Sequence, residues 1–463
     1  MDTVPESRPA AVLPVVTRRL LERLQLEWRA ARPDEQPDAT RQLQAALVED
    51  EIGPLLVLFP GDRLLDLAQL KALTGRTLQP VSRLEQRQRL ARQGLSSLPA
   101  LPQLLGLPCL YARVLQKLPE LWLNGGAAGS WVILSGPAFC RLMEATTSGE
   151  IGIPLAPLQA AMAVSVTAAD RLQAGSFTAR RVQQRLGGPI ELPPRPRSAS
   201  RIIQLRTDPA TTVEDITRLV ETDPALAAQV VSWASSPYYA SPSRIRSVED
   251  AIVRVLGFDV VINLALGLAL GKAMSLPADE AYYSQRYWQQ AVYSAALMDG
   301  LVRLLPDRSA DIGMAYLCGL LHNIGWLVLA HVFPPYFRTL CQHLALNPHL
   351  SHRLVEQHLL GITREQVGAW LMQHWEMPEE LLVTLRFQAD PEYQGPHARY
   401  PALVSLANLL LHEAGEGERP VCQAGSLFGR LGIDRTRAGE VLQQVLQARS
   451  ALRELARQLT PPA

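Results

Sequence analysis

Apolar and polar positions follow two regimes along this chain. Before residue 187 the apolar period keeps changing, whereas after residue 200 it stays helical almost to the end. In the first regime, "VVTRRLLERLQLEW" sets its apolar residues three and four apart, which predicts a helix. "PLLVLFPGD", Pro54 to Asp62, is a short apolar run closed by a Pro-Gly-Asp turn and predicts a buried strand. "LLDLAQLKALTG" predicts a second helix ended by Gly75 as a left-handed cap. "PCLYARVLQ" and "GSWVILSG" are strand-like again, with β-branched and aromatic residues between turn formers. Strands interleaved with helices predict an α+β domain over residues 1–145.

Residues 146–200 read as a connection: one helix, "FTARRVQQRL", then "GGPIELPPRPRSAS" from Gly187 to Ser200. Two glycines and four prolines cannot continue a helix, so this stretch predicts a semi-extended linker. Residues 201–463 read as all-α. Thr211 three residues before Glu214 predicts a capping box, Asp223-Pro224 a capped start, and Ser247 to Gly257 a third capped helix. Further helices are predicted at 287–305, 315–330, 363–373, 378–387 and 402–413, and one long helix over "RAGEVLQQVLQARSALRELARQL".

Composition narrows the function classes. A formal charge of +1 gives no overall field for nucleic acid or anionic membrane. The longest apolar run noted, Val260 to Gly271, contains Asn263 and is too short for a membrane span. The start "MDTVPESRPAAVLP" lacks a signal-peptide pattern, and a cytoplasmic protein is expected. Five cysteines, odd in number and never in CxxC, read as small buried hydrophobes in a reducing compartment. Seven arginines between Arg180 and Arg206 face one acid, Glu191, which fits a solvated linker more readily than a tRNA contact.

All nine histidines follow residue 321, so imidazole chemistry belongs to the helical part. His322-Asn323, inside "GLLHNIGWLVLAHVF", is the pair that matters, because an imidazole beside a carboxylate on a buried helix is one way to hold a divalent ion. Asn323 offers only a neutral amide oxygen. His358 and His374 read as surface or satisfied-core residues, and Tyr238-Tyr239 as a packing pair.

The words "DPALAAQVVSWASSPYY", "RIRSVEDAIVRVLG", "YWQQAVYSAAL", "YLCGLLHNIGWLVL", "GITREQVGAWLMQHWEMPEEL" and "LVSLANLLL", in that order, resemble the HDOD family. This is the HD-related output domain of bacterial signalling proteins. The resemblance implies a helical bundle related to metal-dependent HD phosphohydrolases. It places the HD metal positions on Gln290, His322, Asn323 and Asn408, and a frequent His-His pair on Phe387-Gln388. Only His322 retains a ligand type, so no metal, no cofactor and no phosphohydrolase activity are expected.

The N-terminal words from Ala45 to Gln86, "GLSSLPALPQLLGLPCLYAR" and "LWLNGGAAGSWVILSG" resemble YbaK/prolyl-tRNA-synthetase-type editing domains, which are aminoacyl-tRNA deacylases. The family's lysine word falls on Ala45-Ala46-Leu47-Val48 without a lysine, and its strand-ending aspartate falls on Arg113. Gly94, Ser96 and Ser97 remain as a candidate polar pocket, with a plain turn as the alternative. The reading is therefore a non-catalytic signalling or regulatory protein with an unidentified protein partner. The enzymatic alternative is an aminoacyl-tRNA deacylase, for which tRNA would be the partner.

Overall fold

The computed structural model describes residues 13–32, 35, 37–160, 193–208, 210–236, 239, 245–272, 274, 281–307, 310–418 and 424–459. The helix expected at "FTARRVQQRL", the linker's start, Tyr238 and Cys422 lie outside the described residues. Two compact units result: 1–165 with 338–355, and 166–337 with 356–463. The stretch 338–355, read from sequence as part of the helical domain, folds with the first unit.

The first unit is α+β, as its alternating periods predict. Its elements are α1 (Val15–Arg23), β1 (Trp28–Ala30), β2 (Leu43–Asp50), β3 (Gly53–Pro60), β4 (Arg63–Leu64), α2 (Leu67–Thr74), β5 (Gln79–Pro80), α3 (Arg83–Ala91), α4 (Pro102–Leu105), β6 (Cys109–Ala112), β7 (Glu120–Asn124), β8 (Trp131–Ser135), α5 (Gly136–Leu142), β9 (Thr147–Gly149) and β10 (Ile153–Pro154). The main sheet runs β5-β2-β3-β6-β9, with β3, β6 and β9 parallel. A second sheet, β1-β8-β7, is antiparallel. The apolar run of β3 follows from its central place: both faces are covered, and Leu55 to Phe59 are all buried. Asp66 caps α2 by accepting from the Gln69 N–H, and Gly75 ends it at φ 70°, as expected. The strand expected through "PCLYARVLQ" stops at Ala112, where pairing with β9 ends, and Arg113–Lys117 turns into a 3-10 helix. Cys140 is exposed, against the expectation of burial, while Cys109 and Cys318 are buried and their thiols are pushed up to about 12 by burial.

At the β2–β3 turn, Arg76 clasps Asp50 through Nε at 2.9 Å and donates from Nη2 to the Gly53 carbonyl at 2.6 Å. The guanidinium holds the Asp50 carboxyl down at about 2, below its ordinary 3.8. A depressed folded-state value means stability that is present above pH 3.8 and is lost as pH falls toward about 2. The Asp50→Asn variant is therefore expected to unfold with a flatter pH dependence in that acid window, as followed by denaturant midpoints.

The second unit is helical. It comprises α6 (Arg197–Thr207), α7 (Val213–Glu221), α8 (Pro224–Ala234), α9 (Val248–Ala251), α10 (Phe258–Lys272), α11 (Ala281–Val302), α12 (Ile312–Leu321), α13 (Gly325–Val332), α14 (Pro334–Leu346) in its first residues, α15 (His352–Leu360) from Glu356, α16 (Arg364–His374), α17 (Glu379–Phe387), α18 (Arg399–Glu413), α19 (Ala424–Leu431), α20 (Arg435–Gln447) and α21 (Arg449–Leu459). The capping box sits one residue later than predicted, on Thr212 and Asp215, because Thr211 turns its hydroxyl to the Leu205 carbonyl at 2.6 Å. The last expected helix is two, parted at Ala448. Of the linker arginines, Arg195 is engaged, donating to the Trp375 carbonyl at 2.7 Å. Trp375 in turn donates its indole N–H to the Pro193 carbonyl at 2.9 Å. The run Ile312–Val332 is long and apolar enough to cross a membrane, and 89% of an apolar 18-residue window within it is buried in the protein.

The inserted stretch 338–355 completes the first unit by polar contacts. Asn347, 1% exposed, accepts from the Leu65 N–H at 2.7 Å and donates to the Leu65 carbonyl at 2.9 Å. His343 accepts from the Leu67 N–H through Nε2 at 3.2 Å, while its Nδ1 faces the Thr339 carbonyl at 2.8 Å. The proton therefore sits on Nδ1. Leu346 joins the core formed by β3, β6 and β8.

Candidate functional site

Three packed helices bring the HD-like positions together. Gln290 lies on α11, His322 at the end of α12, Asn323 just beyond it and Asn408 on α18, and each of these helices packs on the other two. Close approach of α11 and α12 depends on Gly319, whose missing Cβ would lie 2.8 Å from the Ala295 Cα. Gln290, His322 and Asn323 are buried.

The sequence predicts one helix running through His322-Asn323, but the structure breaks it there. Gln388 donates its amide to the His322 carbonyl at 2.7 Å, drawing that carbonyl out of the helical ladder, and α13 begins afresh at Gly325. The His322 ring bonds through Nδ1 to the Gly319 carbonyl at 2.8 Å, so Nδ1 carries the proton. Asn408 accepts from the Ser294 hydroxyl at 3.3 Å, one turn along α11 from Gln290. Phe387 stacks on Tyr393 at 3.9 Å and takes no part.

Asn323 has a partner that sequence reading missed. Its side-chain oxygen faces Arg364 Nη1 at 3.3 Å, and Arg364 is 2% exposed. The guanidinium also binds the Glu356 carboxylate through Nε, binds Glu418 through Nη1 at 3.0 Å and lies over the Trp326 ring at 4.4 Å. The Glu356 carboxylate, fully buried, further accepts from the Arg364 backbone N–H at 2.8 Å. Burial works to lower the Arg364 pKa, but the carboxylates of Glu356, Glu418 and Glu365 outweigh it and raise it. Arg364 opens a capped helix after Thr363, a position ordinarily solvated, which is why its sequence context hides it.

This donor set does not fit a divalent ion. Neutral amides at Gln290, Asn323 and Asn408 and one imidazole give no anionic oxygen, and a fixed cation sits against one amide oxygen.

The candidate N-terminal pocket closes on itself. Gly94 ends the turn after α3 at φ 69°, and the Ser96 and Ser97 N–H groups both donate to the Gly126 carbonyl, at 2.9 and 3.1 Å. The Ser97 hydroxyl donates to Asn124 at 2.7 Å. Arg113 is exposed, and Ala45 pairs with Leu58 within β2–β3.

A helical bundle with HD-like positions, preceded by an α+β domain, defines a protein of the HD-related output class. The family model described as "HDOD domain" matches residues 192–391, and the chain belongs to the HDOD family. A crystal structure from Marinobacter aquaeolei VT8, described as a signal transduction protein, is 36% identical with a TM-score of 0.84, covering 97% of this chain and 100% of that one. An uncharacterized protein of Treponema pallidum (strain Nichols) is 27% identical over 236 residues, 49% of this chain; the chain spans only 43% of that relative's length. A structure described as a trans-editing enzyme for prolyl tRNA synthetase is 19% identical with a TM-score of 0.26, covering 31% of this chain and 99% of that one.

Proposed function

We propose that this protein is a non-catalytic signalling or regulatory protein whose HDOD domain recognises a protein partner or ligand without turning it over. The family match and the description of the Marinobacter relative support the signalling role. The observation that carries the non-catalytic part is Arg364, a buried cation 3.3 Å from the Asn323 oxygen, in the place where hydrolytic chemistry needs anions around a metal. Without such an ion, none of Gln290, His322, Asn323 and Asn408 lowers the pKa of a water for attack on phosphorus. The deacylase alternative gains no support from the geometry, since the Ser96 and Ser97 N–H groups are spent on Gly126 and cannot bind a substrate oxygen.

Full-length protein purified without chelator is expected to carry no manganese or iron by elemental analysis. It is expected to leave phosphodiesters, nucleotides and mischarged tRNAs intact. Stoichiometric metal accompanied by phosphoester hydrolysis rejects the proposal; ester hydrolysis on mischarged tRNA alone moves the activity to the first unit.

A further inference from the structure

We infer that Arg364 occupies a cation cage built from protein oxygen atoms, acting as a resident counter-ion in place of a divalent metal. The inference rests on the non-catalytic reading only in taking the untouched protein to be metal-free, and it names what fills the interior instead.

The oxygen atoms come from four places in the second unit. Glu356 on α15 is fully buried and Glu365 on α16 is 6% exposed, with a carboxylate oxygen of each within 4.8 Å of the other. Glu418, in the segment after α18, reaches in from the rim with a side chain 29% exposed. Asn323, at the α12–α13 break, adds a neutral oxygen. Three carboxylates and an amide oxygen form the kind of set that hard cations such as Mg²⁺, Ca²⁺ and Mn²⁺ favour.

Like charges so close in a low-dielectric interior repel unless a cation sits among them. Arg364 supplies that charge. Its planar fork matches the cage only in part: Nε serves Glu356 and Nη1 serves Glu418 and Asn323, whereas Nη2 is buried and meets no hydrogen-bond acceptor among the described residues. Trp326 closes the face of the guanidinium and fixes its plane. Gln290, His322, Asn323 and Asn408 supply no anionic oxygen, whereas the carboxylates of Glu356 and Glu418 are already bound by Arg364.

The test uses full-length protein, with MnCl₂ as the added probe. Arg364→Ala empties the cage. It is expected to unfold about 10 °C below the parent without metal, as for a buried ion pair stripped of one partner. Saturating Mn²⁺ is expected to bind stoichiometrically and return roughly 5 °C of that loss, while the parent's midpoint moves by less than about 1 °C. Arg364→Lys keeps a positive charge in the cage and is expected to fold and to ignore Mn²⁺. An Arg364→Ala protein that folds yet neither binds nor responds to Mn²⁺ overturns the assignment, as does an Arg364→Lys protein that binds it. If Arg364→Ala stays unfolded at every Mn²⁺ concentration, Arg364→Lys alone decides by the same criterion. Metal found in the untouched parent strikes at the non-catalytic reading instead, so the two failures are distinguishable.

Discussion

Gly325→Ala is expected to disable folding of the helical unit, lowering its stability by roughly 4 kcal/mol or more. A Cβ at Gly325 would lie 1.8 Å from the Arg364 carbonyl oxygen and 2.6 Å from its carbonyl carbon, both backbone atoms that cannot swing aside. Across the same crossing, a Cβ on Gly368 would meet the Gly325 nitrogen at 3.0 Å, so α13 and α16 touch glycine to glycine. That contact also sets Arg364 against Asn323 and Trp326, and forcing the helices apart would loosen both. Urea unfolding followed by circular dichroism reads the effect. Gly94→Ala is the control: nothing lies within 4 Å of its added Cβ, and only the φ of +69° is strained. Its expected cost is about 1 kcal/mol. Equal losses from the two alanines would remove the case for a close helix crossing.

The second large effect is expected at Asn347→Leu, which keeps the side chain's bulk and removes its polar atoms. Leu65 would then lose a partner for both its N–H and its carbonyl in a buried place, at about 2–5 kcal/mol for two stranded groups. Asn347→Asp separates polarity from packing. It still accepts from the Leu65 N–H, but it cannot donate to the Leu65 carbonyl until it is protonated. Its deficit is therefore expected to shrink as pH falls into the carboxyl range, while the leucine variant's deficit does not. A matching pH profile for both variants would show that the amide's hydrogen bonds are not what holds the inserted stretch.

Local chemistry made much of this fold readable. Gly75, Asp223, Ser247 and Thr363 mark helix ends because capping depends on one or two neighbouring residues. The strands β3 and β8 announce themselves by apolar runs between turn formers. What escaped was set by distant partners. The helix broke at His322 because Gln388, just past the end of α17, takes its carbonyl, and no periodicity within "GLLHNIGWLVLAHVF" records that pull. Nothing local to Arg364 marks it, and only the fold of α15 beside it puts Glu356 within reach. Resemblance alone assigns Gln290, His322, Asn323 and Asn408 to one site, and the helices that carry them lie side by side. The inserted stretch was illegible for the same reason: His343, Asn347 and His349 sit among helical residues, while their partners lie near Arg63 to Leu67.

That insertion has a consequence for how the protein is made. The ribosome delivers residues 1–165 long before 338–355 exist, so the earliest part of the chain is the last to be finished. Until the later segment emerges, the backbone of Leu65 has only water to bond. A message truncated between the two would yield a first unit with all its strands but without the side chains of His343, Asn347 and His349 that bond the backbone of Arg63, Leu65 and Leu67, and quality control would meet it as an unclosed product.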